Sequence, residues 1–313
     1  MTSVNDKFEV IIIGGGPAGL SAALWCVDLG LDSIVIEKES ELGGQLLWTY
    51  NKIKNYLGCE AENGRELAAR FIRHIENAKV NYITGCEVVA ADLANKTVKL
   101  ADGHTFCGKA IVIATGVRRK KLGVSGECDF VGRGILESGV KSKDQVAGKT
   151  VVIVGGGDAA LENSLILSDM AARVVVIHRR EQFSARHDFV ERALLKPNIE
   201  FIFNSVITAI KGDASLQGVE IANSTSQNHS YIAADALLIR IGIMPRNEMF
   251  SQQIELDSNG YFLVDKNFET SSSDVFAIGD VADPRSLTIN SAVGSGVIVA
   301  KVISQRREKK TKI

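Results

Sequence analysis

Glu37 and the tripeptide His178-Arg179-Arg180 are the residues whose types and positions say most about chemistry. Each lies 23 residues beyond the start of a glycine cluster: Gly14-Gly15-Gly16-Pro17-Ala18-Gly19 for the first, Gly155-Gly156-Gly157-Asp158-Ala159-Ala160 for the second. A strand–glycine turn–helix places backbone N–H groups and a helix N-terminus against a pyrophosphate, and the residue ending the next strand meets the adenosine ribose. A carboxylate there accepts from the ribose hydroxyls and repels a 2′-phosphate, so Glu37 indicates FAD or NAD. Paired guanidinium groups suit a 2′-phosphate, so Arg179 and Arg180, with Arg186 nearby, indicate NADP(H). One such glycine cluster is a weak signal, whereas two indicate two nucleotide cofactors.

The elements that must position these residues follow from hydrophobic patterning. Phe8 to Ile13, Ser33 to Ile36, Thr150 to Val154 and Arg173 to Ile177 are apolar, β-branched runs of strand length. Helical stretches, Ala18 to Leu29 and Ala159 to Met170, separate them in pairs. These are two βαβ units, which implies parallel sheets with right-handed crossovers. Ala110 to Ala114 and Ala236 to Ile241 are further buried strands, and each runs into a glycine turn. Val275 to Ile278 leads into Gly279-Asp280, and a last helix spans about Ser291 to Gln305. The second copy of the repeat is inserted within the first, with crossings expected near residues 117 and 246. One domain is then 1–116 with 247–313, and the other 117–246. The basic tail Arg306 to Ile313 is expected to fray.

Composition narrows the class. The 313 residues are 45% hydrophobic and 23% charged with net charge −1, values of a packed globular protein with no bulk attraction to nucleic acid or membrane. No apolar run is long enough to span a bilayer and no secretory leader is legible, so the expected location is the cytoplasm. The five cysteines, Cys26, Cys59, Cys86, Cys107 and Cys128, come no closer than 21 residues in sequence, which leaves no CxxC and no zinc spacing. No metal site is expected.

With these residues in hand the chain resembles the low-molecular-weight thioredoxin reductase family of flavoproteins. The resemblance rests on GGGPAGLSAAL at 14–24, GGQL at 43–46, IKNYLG at 53–58, ATG at 114–116 and GRG at 132–134. It continues through GGGDAALE at 155–162, HRREQF at 178–183, FAIGDV at 276–281 and GSG at 294–296. It implies an α/β fold of two Rossmann-like dinucleotide-binding domains, an FAD domain with an NADPH domain inserted, a homodimer, and a hinge between the domains. FAD is then expected on Gly14, Gly16, Pro17, Ala18, Gly19, Glu37, Lys38, Gly44, Gln45, Leu46, Asn55, Val88, Ala114, Thr115, Gly116, Gly279, Asp280, Thr288 and Ile289. NADPH is expected on Gly155, Gly157, Asp158, Ala159, Ala160, His178, Arg179, Arg180, Arg186, Ile241 and Gly242.

The departures bear on function. In the family a CxxC follows the GRG segment, and here those positions read Ser138-Gly139-Val140-Lys141. A dithiol relay needs two thiols within bonding reach, one of them a thiolate, so Ser138 and Lys141 cannot serve. No side chain is expected to be catalytic. Ser184 stands where the family has Arg, and Ser286-Leu287-Thr288-Ile289-Asn290 replaces its usual flavin contact.

The leading expectation is an NADPH-dependent FAD enzyme whose electrons leave the flavin directly for ferredoxin or flavodoxin. The precedent by resemblance is the thioredoxin-reductase-like ferredoxin/flavodoxin–NADP reductases, which share the scaffold and lack the CxxC. Arg118 to Lys121 could dock such an acidic carrier. Those reductases carry a C-terminal aromatic ring over the flavin; here the tail has none, and Trp48 or Tyr50 could stack in its place. The alternatives are a disulfide reductase acting on a partner's cysteines at the flavin, and a non-catalytic flavoprotein that senses redox state.

Overall fold

Alternating side chains of four-residue apolar strands explain the core. In the computed structural model, which describes residues 5–311, Val10 and Ile12 face one hydrophobic cluster while Ile11 and Ile13 face another. A strand buried on both faces is the signature of a parallel sheet covered on each side. The chain divides into two compact units, Met1–Arg118 with Met244–Ile313, and Arg119–Ile243.

In the first unit, five parallel strands run in the order Val275–Ala277, Ala110–Ile113, Val10–Ile13, Ser33–Ile36, Asn81–Ile83. Ile12 sits between Val35 and Val112, so the first glycine turn leaves from the middle of the sheet. Helix Pro17–Asp28 follows, with Pro17 at a first-turn position where no backbone N–H is needed. The long helix Ile289–Thr311 packs against it, and Ser21 Oγ donates to the Val293 carbonyl at 2.8 Å. Four further strands, Asn5–Lys7, Thr105–Cys107, Thr97–Leu100 and Val88–Asp92, form a second sheet.

The second unit repeats the plan. Its parallel sheet has the order Ile135–Leu136, Ala236–Ile239, Thr150–Val154, Arg173–Ile177, Ile199–Ile202. Helix Asp158–Ser168 follows the second glycine turn. An antiparallel sheet of Ser205–Gly212, Leu216–Asn223 and His229–Ala233 shares the cluster around Val152, Val175 and Leu237.

One expectation fails outright. The basic tail does not fray from Arg306 on, because the last helix continues to Thr311. Arg306 Nη1 and Nη2 donate to Glu269 at 2.6 Å, and Nη1 also reaches Asp274 at 2.8 Å. Arg307 pairs with Glu9 at 3.2 Å. Residues 312–313 lie outside the described part.

Candidate functional site

Gly14 has φ +112°, and a Cβ there would stand 2.4 Å from the Ala114 carbonyl oxygen, so only glycine lets the chain leave its strand this way. The turn brings Gly15 over the end of Ser33–Ile36. There the Gly15 N–H donates to Glu37 Oε2 at 2.6 Å, and the Glu39 N–H donates to Oε1 at 2.8 Å. Glu37 is buried, and two charge-assisted hydrogen bonds fix its carboxylate while leaving lone pairs for a ligand.

This turn opens onto a cleft of about 680 Å³ formed wholly by the first unit, a size that suits a large cofactor. Gly14, Gly16, Pro17, Ala18, Glu37, Lys38, Gly44, Gln45, Leu46, Val88, Ala114, Thr115, Gly116, Gly279, Asp280, Thr288 and Ile289 all line it. Two expected residues do not. A Cβ on Gly19 would meet the Gly14 carbonyl oxygen at 2.0 Å, so Gly19 serves helix-on-strand packing. Asn55 is exposed, and its backbone carbonyl accepts from Asn290 Nδ2 at 3.0 Å. Trp48 lines the cleft with half its surface exposed, whereas Tyr50 does not line it.

Sequence reasoning missed Arg118, Arg246 and Glu248 on the cleft wall. Arg118 is ion-paired with Glu248, and Thr115 Oγ1 donates to the Arg246 carbonyl at 2.8 Å. These residues come from two chain segments that only the tertiary fold joins. Thr288 closes the far end: its Oγ1 accepts the Ser291 N–H at 3.2 Å, an N-cap for the last helix. Burial pushes the Asp280 carboxyl above its ordinary range, because a charged form loses water there.

In the second unit Gly155 repeats the geometry of Gly14, with φ +146° and the Arg240 carbonyl oxygen 2.2 Å from where a Cβ would stand. The residues 23 positions after each turn differ in role. His178 is turned inward: its ring lies over Gly156, its Nε2 lies 3.1 Å from the Gln182 carbonyl, and it packs on Phe183 at 5.5 Å between centroids. Burial, with Arg180 and Arg179 adding to it, holds His178 below its usual range, so it is a neutral packing ring. His178, expected at the NADPH site, is thus held within the turn by Gly156, Gln182 and Phe183.

Arg179 and Arg180 are exposed and have no carboxylate partner among the described residues. Arg186 is engaged instead with Asp158, at 2.7 Å through its backbone and 3.0 Å through Nε, and lies over Phe189. Ala160 is fully buried beside Gly155 and belongs to the core. Gly157 and Asp158 begin the helix, Ala159 is exposed in its first turn, and Ile241 and Gly242 follow the strand Ala236–Ile239. Ser184 closes the turn, its N–H and Oγ both donating to the Gly156 carbonyl at 2.8 and 3.2 Å.

All five cysteines are free. At Ser138–Lys141 the Gly139 N–H donates to Asn163 Oδ1 at 2.7 Å, and Lys141 pairs with Glu137. Nothing in this segment can exchange electrons.

The family model for pyridine nucleotide-disulphide oxidoreductases matches residues 8–296. A thioredoxin reductase of Listeria monocytogenes is 31% identical over 297 residues, covering 95% of this chain and 92% of its own. That of Streptomyces coelicolor is 34% identical over 305 residues, covering 95% and 93%. Among solved structures, Lactococcus lactis thioredoxin reductase superposes with a TM-score of 0.84 at 30% identity, covering 95% of this chain and 98% of its own. T. acidophilum thioredoxin reductase gives 0.82 at 29%, covering 97% and 99%.

Proposed function

Since the chain belongs to the pyridine nucleotide-disulphide oxidoreductase family, in its thioredoxin reductase class, we propose that it oxidises NADPH through FAD and delivers the electrons directly to an external acceptor. It is an FAD-dependent NAD(P)H oxidoreductase, and what we infer concerns the route out. One observation carries the reading: the segment where the family holds its dithiol is Ser138-Gly139-Val140-Lys141, tied down by Asn163 and Glu137.

The residues present fit the two cofactors, which supply the hydride-transfer chemistry when bound. Gly14 keeps the first turn open, Glu37 is positioned to accept from ribose hydroxyls, and Asp280 faces the same cleft with a polar tip. The Gly155 turn, Arg179 and Arg180 offer a second, phosphate-seeking site. The protein's own part is to bind and orient, with no side-chain acid or base required.

The acceptor we propose is a small acidic electron carrier of the ferredoxin or flavodoxin kind, and the functional unit a homodimer. Of the basic run, Arg118 and Arg119 have partners within the chain, while Lys120 and Lys121 remain exposed to meet a carrier. A second reading draws on the thioredoxin reductases among the relatives: the acceptor is a disulfide of a partner protein, reduced at the flavin itself.

Anaerobic stopped-flow with NADPH, followed by reoxidation with ferredoxin, flavodoxin, thioredoxin or DTNB, separates these readings. Fast bleaching with reoxidation by ferredoxin or flavodoxin alone supports the first. Reoxidation by thioredoxin alone supports the second. No bleaching by NADPH or NADH contradicts both and leaves a redox-sensing flavoprotein.

A further inference from the structure

Arg246 stands on the wall of the first unit's cleft, and its backbone is held there by the chain on either side. Its N–H donates to the Gly116 carbonyl at 3.0 Å, and its own carbonyl accepts from Thr115 Oγ1 at 2.8 Å. Just before it Pro245 is buried, and just after it Asn247 Nδ2 donates to the Gly260 carbonyl at 2.5 Å. Thr115 and Gly116 follow Ala114, whose carbonyl oxygen closes on Gly14 so tightly that a Cβ there would stand 2.4 Å away. Arg246 is thereby fixed beside the segment that packs on the glycine turn, the place suited to a pyrophosphate.

Charge singles out the same residue. Lys38 pairs with Glu87 at 2.7 Å, Arg65 with Glu41 at 3.0 Å, and Arg118 with Glu248. These are the other cations that line the cleft. The Arg246 guanidinium is exposed and has no ion-pair or hydrogen-bond partner among the described residues. Glu37 and Asp280 line the same cleft with no cation paired to them among the described residues.

The three ion pairs cancel, which leaves the cleft with carboxylates in excess. A doubly charged pyrophosphate entering it needs more than neutral hydrogen-bond donors. The glycine turn and its helix N-terminus offer only about half a positive charge. A free guanidinium adds a full charge, with a planar fork that matches phosphate oxygens.

We propose that Arg246 is a phosphate-binding residue of the FAD site, holding the cofactor's pyrophosphate together with the Gly14–Gly16 turn. Glu248 has the complementary part: it neutralises Arg118, so that one cation is presented to the cofactor from this wall. The proposal rests on FAD as the cofactor and does not depend on which acceptor takes the electrons.

The test is dilution of the FAD-loaded protein, with released FAD read by its fluorescence. It gives Kd for wild type, Arg246→Gln, Arg246→Lys and Glu248→Gln. The Arg246 side chain is exposed, so its substitution should leave the fold intact, and circular dichroism checks this for each variant. Arg246→Gln should raise the Kd for FAD roughly tenfold or more, the scale of a lost charge-assisted bond. Arg246→Lys keeps the charge without the fork and should recover part of that loss. Glu248→Gln releases Arg118 and should move Kd the other way, tightening FAD severalfold. Added salt should weaken FAD in the wild type and far less in Arg246→Gln, because an exposed charge is screened.

An unaltered Kd in Arg246→Gln would overturn the proposal. So would a loss that Arg246→Lys does not relieve and Glu248→Gln repeats, since the two residues would then serve only to pack the wall. Absence of FAD from the wild type would overturn the cofactor assignment as well, whereas a change confined to the variants speaks to Arg246 alone.

Discussion

The Gly15 backbone N–H and the Glu37 carboxylate meet at 2.6 Å, so the turn meant to hold a pyrophosphate is tied to the residue meant to hold a ribose. Removing the carboxylate should therefore loosen both subsites together. Glu37→Ala is expected to weaken FAD by about 1.5–3 kcal/mol, tenfold or more in Kd. Glu37→Gln should lose less, because its amide oxygen still accepts from Gly15. Flavin retention on dilution and gel filtration measures both.

Asp280 illustrates a cost of the site. Its folded-state carboxyl is raised by burial, so the ionised form is less stable folded than unfolded. The penalty is absent below the ordinary carboxylate range, grows as pH rises from there through the raised value, and is complete above it. Asp280→Asn should raise the melting temperature of the apoprotein at neutral pH and leave it unchanged in acid. The same variant should hold FAD less tightly. Melting curves across pH, with and without FAD, check both expectations.

Arg179 and Arg180 are expected to choose the nicotinamide cofactor. Replacing both with Ala should raise the KM for NADPH at least tenfold and leave NADH kinetics nearly unchanged, on the scale of about 1.5–3 kcal/mol for lost charge-assisted bonds. His178→Asn should not alter that ratio, since the imidazole faces Gly156 and Gln182. Steady-state kinetics with both cofactors decide it.

The last helix is held by Arg306, shared between Glu269 and Asp274. Hydrogen bonding to Arg306 holds Glu269 below its usual range despite the opposing effect of burial. This contribution is complete above the ordinary carboxylate pKa and disappears as pH falls through the depressed one. Arg306→Ala should cost about 1–3 kcal/mol near neutrality and progressively less in acid. Urea unfolding at two pH values measures it.

Much of this was legible in the sequence because the strands are short runs rich in Val and Ile, and the first strand of each βαβ unit runs directly into a glycine turn. Ser33–Ile36, Thr150–Val154 and Arg173–Ile177 stand where the apolar runs put them. The units change over at residues 118–119 and 243–244, against expected crossings near 117 and 246. Side-chain direction was not legible. The same 23-residue offset ends in a carboxylate bonded to its glycine turn at Glu37 and in an inward ring at His178. Burial against Phe183 and the Gln182 carbonyl decides the second case, and neither is visible as a spacing. Arg119 and Arg240 both donate to the Glu137 backbone carbonyl, a meeting that escaped for a similar reason, since it depends on Ile135–Leu136 lying beside Ala236–Ile239. The tail was misread because its anchoring carboxylates, Glu269 and Asp274, lie more than thirty residues away.

The central claim is that electrons reach an outside acceptor without an internal disulfide. Anaerobic titration of the FAD-loaded protein with dithionite counts its redox centres most directly. The account predicts that one electron pair per flavin completes the reduction and that no protein thiols are gained, as judged by alkylation before and after. Uptake of a second electron pair, with two new reactive cysteines, would contradict it.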